Sequence, residues 1–236
     1  MPYQLNKWHY QTLTLLYYKM INFDIEGLQS LVWHYAGVEG IITPTTWEII
    51  ICKSVGGKHI PGNIFMSDGI LDPFGLSMKS RILKFTKGKM QTIDFVQCRC
   101  PLNEDEDIGS QIIETLVKKR EESFDEFNLD TMLDVSILHN RSGDDYNVRV
   151  FVEEQDKYED LNLIWKNSCG YLDSDKKWKL KRKEGNDKTF HTCLMVKKVF
   201  DVTKCAANFT LKSVNRYDIP MEEAKEKYAK SKVQSK

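Results

Sequence analysis

The sequence lacks an excess of either charge. Its 34 lysines and arginines are matched by 34 aspartates and glutamates, so the formal net charge at pH 7 is zero. That balance excludes a chain that coats nucleic acid over its whole surface, but it permits a basic face set against an acidic back. No apolar run approaches the ~20 residues that cross a bilayer. The start, Met1-Pro-Tyr-Gln-Leu-Asn6, carries no basic-then-apolar leader. The cysteines, at 52, 98, 100, 169, 193 and 205, include no Cys-x-x-Cys pair, and zinc ligands need tighter paired spacing than Cys98-x-Cys100. Reduced thiols in a soluble cytoplasmic protein are the expectation.

What is present suits one large domain or two small ones. A chain of 236 residues with 41% hydrophobic and 29% charged residues is ordinary in composition and long enough for a real core. Residues 3–22 are dense in aromatics, from Trp8 and Tyr10 to Tyr17 and Tyr18, and read as a helix docked on a partner element. Apolar residues at 28, 31, 32 and 35 have helical spacing, with Asp24 as N-cap and Gly37 as stop. His34 lies off that stripe and is expected at the surface. Trp47-Glu-Ile-Ile-Ile-Cys52 is a β-branched run and reads as a strand. Lys53-Ser-Val-Gly-Gly-Lys-His59 reads as a connecting loop, since a Walker loop would continue Gly-Lys-Ser/Thr into a helix.

The centre of the chain is the stretch Asn63 to Phe85. Asp72-Pro73-Phe74-Gly75 has the residues a type I turn prefers, and a hairpin closed there sets Leu71 against Leu76, Ile70 against Ser77 and Asp68 against Lys79. Side chains alternate between faces, so Asp68, Asp72, Ser77 and Lys79 share one surface of the ribbon. Thr92 to Pro101 forms a further strand, with Phe95, Gln97 and Arg99 on one side. Asn103-Glu-Asp-Glu-Asp107 opens a helix running to about Phe127. Leu133–Leu138 and Asn147–Glu153 are strands. His139-Asn140-Arg141 is superficially similar to an HNH nuclease motif but has no further ligands at set positions. From 176 to 183 the chain gathers Lys176, Lys177, Lys179, Lys181, Arg182 and Lys183 around Trp178, a basic stripe with an aromatic that suits phosphate tracking. Residues 221–236 form a polar tail.

Asp68, Ser77 and Lys79 resemble the half-site of a PD-(D/E)XK nuclease, whose pattern is an Asp on one strand and an acid-x-Lys on the next. Ser77 stands where the acid usually is and Ser67 where the Pro usually is, as in type II restriction enzymes that carry Ser-x-Lys-Ser and draw a second acid from elsewhere. Gln97-x-Arg99 resembles a softened acid-x-Lys and competes for the same role. The resemblance, over about residues 24–150, implies an α/β fold with a mixed central sheet flanked by helices, followed by a basic β-rich region. It divides the chain into a nuclease core at 1–155, a DNA-contacting region at 156–220 and the tail.

The same resemblance implies a Mg²⁺-dependent, sequence-specific endonuclease of double-stranded DNA. Asp68 would hold the metal with Asp72, Glu39 or Glu26, and Ser77, Lys79 and Gln97 would be the other catalytic candidates. Arg81, Lys84, Arg99, Lys177, Lys179, Lys181 and Arg182 would contact DNA. It also implies a homodimer and a cognate DNA methyltransferase. Two other readings stay open: a DNA-binding module without chemistry, and a nucleotide-binding enzyme using Gly56-Gly57-Lys58.

Overall fold

A computed structural model describes residues 21–62, 65–85, 90–101, 108–155, 163–166, 169–172, 178–184 and 190–215. The aromatic segment at 3–22 (beyond its last two residues), the acids at 103–107, Lys177 and the 221–236 tail lie outside the described residues. Among the described residues the chain is α/β, with a mixed, mostly antiparallel six-stranded sheet, three α-helices and a second, five-stranded antiparallel sheet. Among the described residues no helix is long and apolar enough to cross a membrane.

Helix α1, Ile25–Glu39, begins as its sequence predicts: the Asp24 carboxylate accepts a hydrogen bond from Gly27 N at 2.9 Å. It runs past Gly37, which is buried, and stops at Gly40, where φ is +79°. His34 is buried, edge-on to Tyr35 with centroids 5.0 Å apart, and is therefore not the surface residue its spacing implied. Helix α2, Pro44–Val55, replaces the strand expected at 47–52. Thr43 caps it by accepting from Thr46 N, Pro44 occupies its first turn, and Gly56 closes it in the left-handed region. These are strong helix start and stop signals, and they override the β-branched run. Trp47, Ile50 and Ile51 are each fully buried. The Gly56-Gly57 pair thus ends a helix, whereas a phosphate loop opens one.

Six strands form the main sheet in the order β1-β2-β3-β5-β6-β11: β1 Lys58–His59, β2 Gly69–Leu71, β3 Phe74–Ile82, β5 Thr131–Ser142, β6 Asp145–Glu154 and β11 Ala207–Leu211. Every neighbouring pair is antiparallel except β3 and β5. Strand β4, Met90–Pro101, and helix α3, Ile108–Phe127, lie between those two in sequence, as a parallel pair requires. Leu76, Met78, Leu133, Val135, Ile137, Val148, Val150 and Val152 form one core with Leu28, Val32, Trp47, Ile50 and Ile51 of α1 and α2. The alternate positions face away from these helices, and there Leu138 and Phe151 pack with Phe200.

Within the first core His139 and Tyr146 form a buried pair. The Tyr146 hydroxyl accepts from Ile42 N at 3.1 Å and is hydrogen-bonded to His139 Nδ1 at 2.8 Å. Burial pushes His139 down to about 4, which makes it a neutral core histidine and removes the HNH reading.

The second sheet runs β4-β10-β9-β8-β7, with β7 Leu163–Lys166, β8 Cys169–Leu172, β9 Trp178–Glu184 and β10 Phe190–Asp201. Strand β4, from the first 155 residues, pairs along its length with β10.

Candidate functional site

The β2–β3 hairpin forms, but two residues out of the expected register. The loop is Asp72–Pro73, joined by a cis peptide, and Leu71 faces Phe74, Ile70 faces Gly75 and Gly69 faces Leu76. A shift of one residue would have turned every side chain over; a shift of two keeps the faces. Asp68 and Lys79 therefore still meet. Asp68 N donates to Leu76 O at 2.8 Å, continuing the ladder one step past Gly69. Beyond that point β2 has ended, and Met78 would be left with an unmet backbone donor and acceptor. Side chains replace the strand: Met78 N donates to Asp68 Oδ2 at 2.6 Å, and Lys79 Nζ donates to Met78 O at 3.0 Å. The ammonium is 3.5 Å from the same Oδ2, with the Asp68 side chain 14% exposed and that of Lys79 32%.

A second acid lies within electrostatic reach of Asp68, on a segment whose β-branched run has the look of a strand. Glu48 lies on α2, and its Oε2 is 3.1 Å from His59 Nε2 on β1. Burial raises the Glu48 carboxyl above its ordinary range, and the negative charge of Asp68 raises it further; His59 and Lys79 pull it back. Asp68, Glu48, Lys79 and His59 thus share one electrostatic neighbourhood. The same burial and the same two acids push the Cys52 thiol up to about 12, leaving it inert. Gly69 allows this proximity, because a Cβ there would collide with Cys52 Sγ on α2 and, at 2.8 Å, with Met78 Cε. The missed signal for Glu48 was Thr43-Pro44, which marks a helix start and would have turned the 47–52 run into a helix.

The other expected residues separate. Ser77 is 2% exposed and its Oγ has no hydrogen-bond partner among the described residues. It stands in register with Asp134 of β5, whose Oδ1 accepts from Gln155 Nε2 at 3.0 Å. Glu39 is a cap: its carboxylate accepts from Thr43 N at 2.8 Å and Thr46 Oγ1 at 2.6 Å, so it joins α1 to α2. Asp72 is exposed at the hairpin tip, about 13 Å of strand from Asp68. Glu26 is exposed in the first turn of α1. Arg81 and Lys84 are exposed, Arg81 at the alternate position beyond Lys79. Gln97 and Arg99 lie on β4, whose partner is β10, so their strand is not the neighbour of the Asp68 hairpin strand β2 that the acid-x-Lys comparison needed. The register skips Gln97, which forms a β-bulge and breaks its alternation with Phe95 and Arg99.

Among the described residues no three side chains from His, Cys, Asp and Glu converge to hold a metal ion. Mg²⁺ commonly takes only one or two carboxylates, the rest of its shell being water and substrate phosphate. Asp68 and Glu48 are two carboxylates close enough to raise one another's proton affinity. Asp68 Oδ2 is occupied by Met78 N and Lys79, while Oδ1 accepts no hydrogen bond among the described residues. No protein-family model, curated protein or solved structure matches this chain.

Proposed function

We propose that the chain is a Mg²⁺-dependent endonuclease of double-stranded DNA, built like a PD-(D/E)XK type II restriction enzyme and sequence-specific in the same way. The observation that carries the reading is the notch, where Asp68 and Lys79 meet over the backbone of Met78, with the Glu48 carboxylate in the same electrostatic field. A mixed sheet with helices packed on one face and a parallel β3–β5 pair supports it further.

In this reading Asp68, with Glu48, would hold the metal, which would supply Lewis acidity to the phosphate and to a bound water. The Met78 N–H locks one Asp68 oxygen and leaves the other facing the substrate. Lys79 leaves Met78 O for the scissile phosphate, where its ammonium orients the attacking water and meets the charge that develops on the phosphate oxygens. Arg81 and Lys84 continue the same strand outward as phosphate contacts. A two-fold homodimer and a protective DNA methyltransferase belong to the proposal as the system such an enzyme works in.

The test is incubation of unmethylated duplex DNA with Mg²⁺, beside an Asp68→Ala, Lys79→Ala variant and beside Glu48→Gln. Discrete fragments that disappear in the double variant support the assignment. Fragments that persist move the chemistry elsewhere. The second reading, a DNA-binding module without chemistry, is favoured by Ser77 in place of an acid; binding without cleavage across several DNAs and divalent metals would establish it.

A further inference from the structure

The described end of β10 identifies the outward face of the five-stranded sheet. Val199 is 55% exposed, whereas Phe200 is 2% exposed and packs on Phe151 with ring centroids 4.4 Å apart. Strand residues alternate between faces, so Lys197, Met195, Cys193 and His191 occupy positions on the Val199 face. The register carries that face across the sheet. Cys193 stands between Lys181 of β9 and Arg99 of β4, His191 between Lys183 and Pro101, and Met195 between Lys179 and Val96. Lys197 stands beside Asp94, the acid among these rows. The bulge at Gln97 is on β4 and leaves the alternation of β10 intact. Arg99, Lys179, Lys181, Lys183 and Lys197 therefore hold register positions on the Val199 face, and Arg182 a position on the opposite one. With strands ~4.8 Å apart and a rise of ~3.4 Å per residue, Arg99 and the β9 lysines span a patch of ~10 by ~14 Å.

We propose that this face binds the phosphate backbone of duplex DNA. A neutral chain that collects one sign of charge on one sheet face carries the electrostatic footprint of a polyanion partner. No run of the sequence shows the patch whole, because Arg99 reaches it from β4 through the register of β10. The choice of duplex DNA rests on the nuclease reading above; the choice of a phosphate backbone does not.

The experiment is an anisotropy titration of the full chain with a short labelled duplex, in EDTA, between ~50 and ~200 mM salt. Arg99→Gln, Lys179→Gln, Lys181→Gln is expected to weaken binding at least tenfold. It should also flatten the dependence of log K on log salt by about 2–3, at ~0.9 per lost phosphate contact. The charge-preserving variant Arg99→Lys, Lys179→Arg, Lys181→Arg should bind as the wild type does. So should Lys118→Gln, Lys212→Gln, which removes two exposed lysines elsewhere. Unchanged affinity and slope in the glutamine variant overturns the proposal, as does an equal loss in the charge-preserving variant. Tighter binding of a matched RNA duplex overturns the choice of partner. Because EDTA prevents cleavage, normal binding by a chain that never cuts DNA sinks the nuclease reading alone.

Discussion

The two sheets handle charge in opposite ways. At the edge of the six-stranded sheet the charges that matter are of both signs and half-buried: Asp68 against Lys79, and Glu48 of α2 against His59. In the five-stranded sheet the charged residues at register positions on the Val199 face are of nearly one sign and follow the strand alternation. The first arrangement holds a few groups in fixed geometry, which chemistry needs. The second spreads an attractive potential over an area, which affinity needs. In the proposed reading, cutting and holding belong to different parts of the molecule, and substitutions should separate them.

The largest separation is expected at the notch. Lys79→Ala should lower Mg²⁺-dependent cleavage by roughly 10²–10³-fold, the cost of one lost donor to developing charge, while duplex affinity in EDTA stays within twofold. A parallel loss of affinity would merge the two functions and break the comparison. Next is the core beneath the notch. Trp47 is fully buried, 5.1 Å from the His139 ring between centroids, and Trp47→Ala should cost about 3–5 kcal/mol in urea unfolding. Activity and stability then fall together, unlike in the Lys79 variant.

A third effect depends on pH. His139 has a folded pKa of about 4 against an ordinary 6.5, so between these values the unfolded chain binds more protons. Its contribution is fully present above pH 6.5 and is lost as pH falls towards 4, by about 3 kcal/mol in all. Urea midpoints measured at intervals from pH 7.5 down to 4 should fall, and His139→Gln should flatten that fall. The cap at Thr43 is worth less: Thr43→Ala should cost about 1 kcal/mol, read as a lower midpoint. Smallest is Lys212→Ala. Its 2.5 Å pair with Asp145 is exposed, and loss of such a pair should change stability by less than ~1 kcal/mol.

The Asp68–Lys79 pair was legible because it depends on alternation along one local ribbon, which survives a register shift of two. The turn itself was misplaced, since Asp72–Pro73 became the loop and Phe74 and Gly75 joined the strand. Glu48 was hidden because Ile49, Ile50 and Ile51 have strand propensity, which tertiary burial on a helix overrides. Glu39 had the right chemistry in the wrong place, spent on the junction of α1 and α2. The second sheet was beyond local reading: the partner of β4 lies far along the chain, and alternation within β9 cannot say which face meets solvent until Val199 and Phe200 are seen.

The β4–β10 pairing also has a consequence for how the protein is made. Roughly ninety residues of chain separate Pro101 from its partner His191. At a translation rate of ~5–20 residues per second, β4 emerges from the ribosome some ~5–20 s before the strand that covers it. During that interval its twelve-residue edge, with Ile93, Phe95 and Val96, is a template for any other nascent chain. A message truncated before codon 190 leaves β4 orphaned permanently. Its product is expected in the insoluble fraction, while the full chain made at the same rate stays in the supernatant.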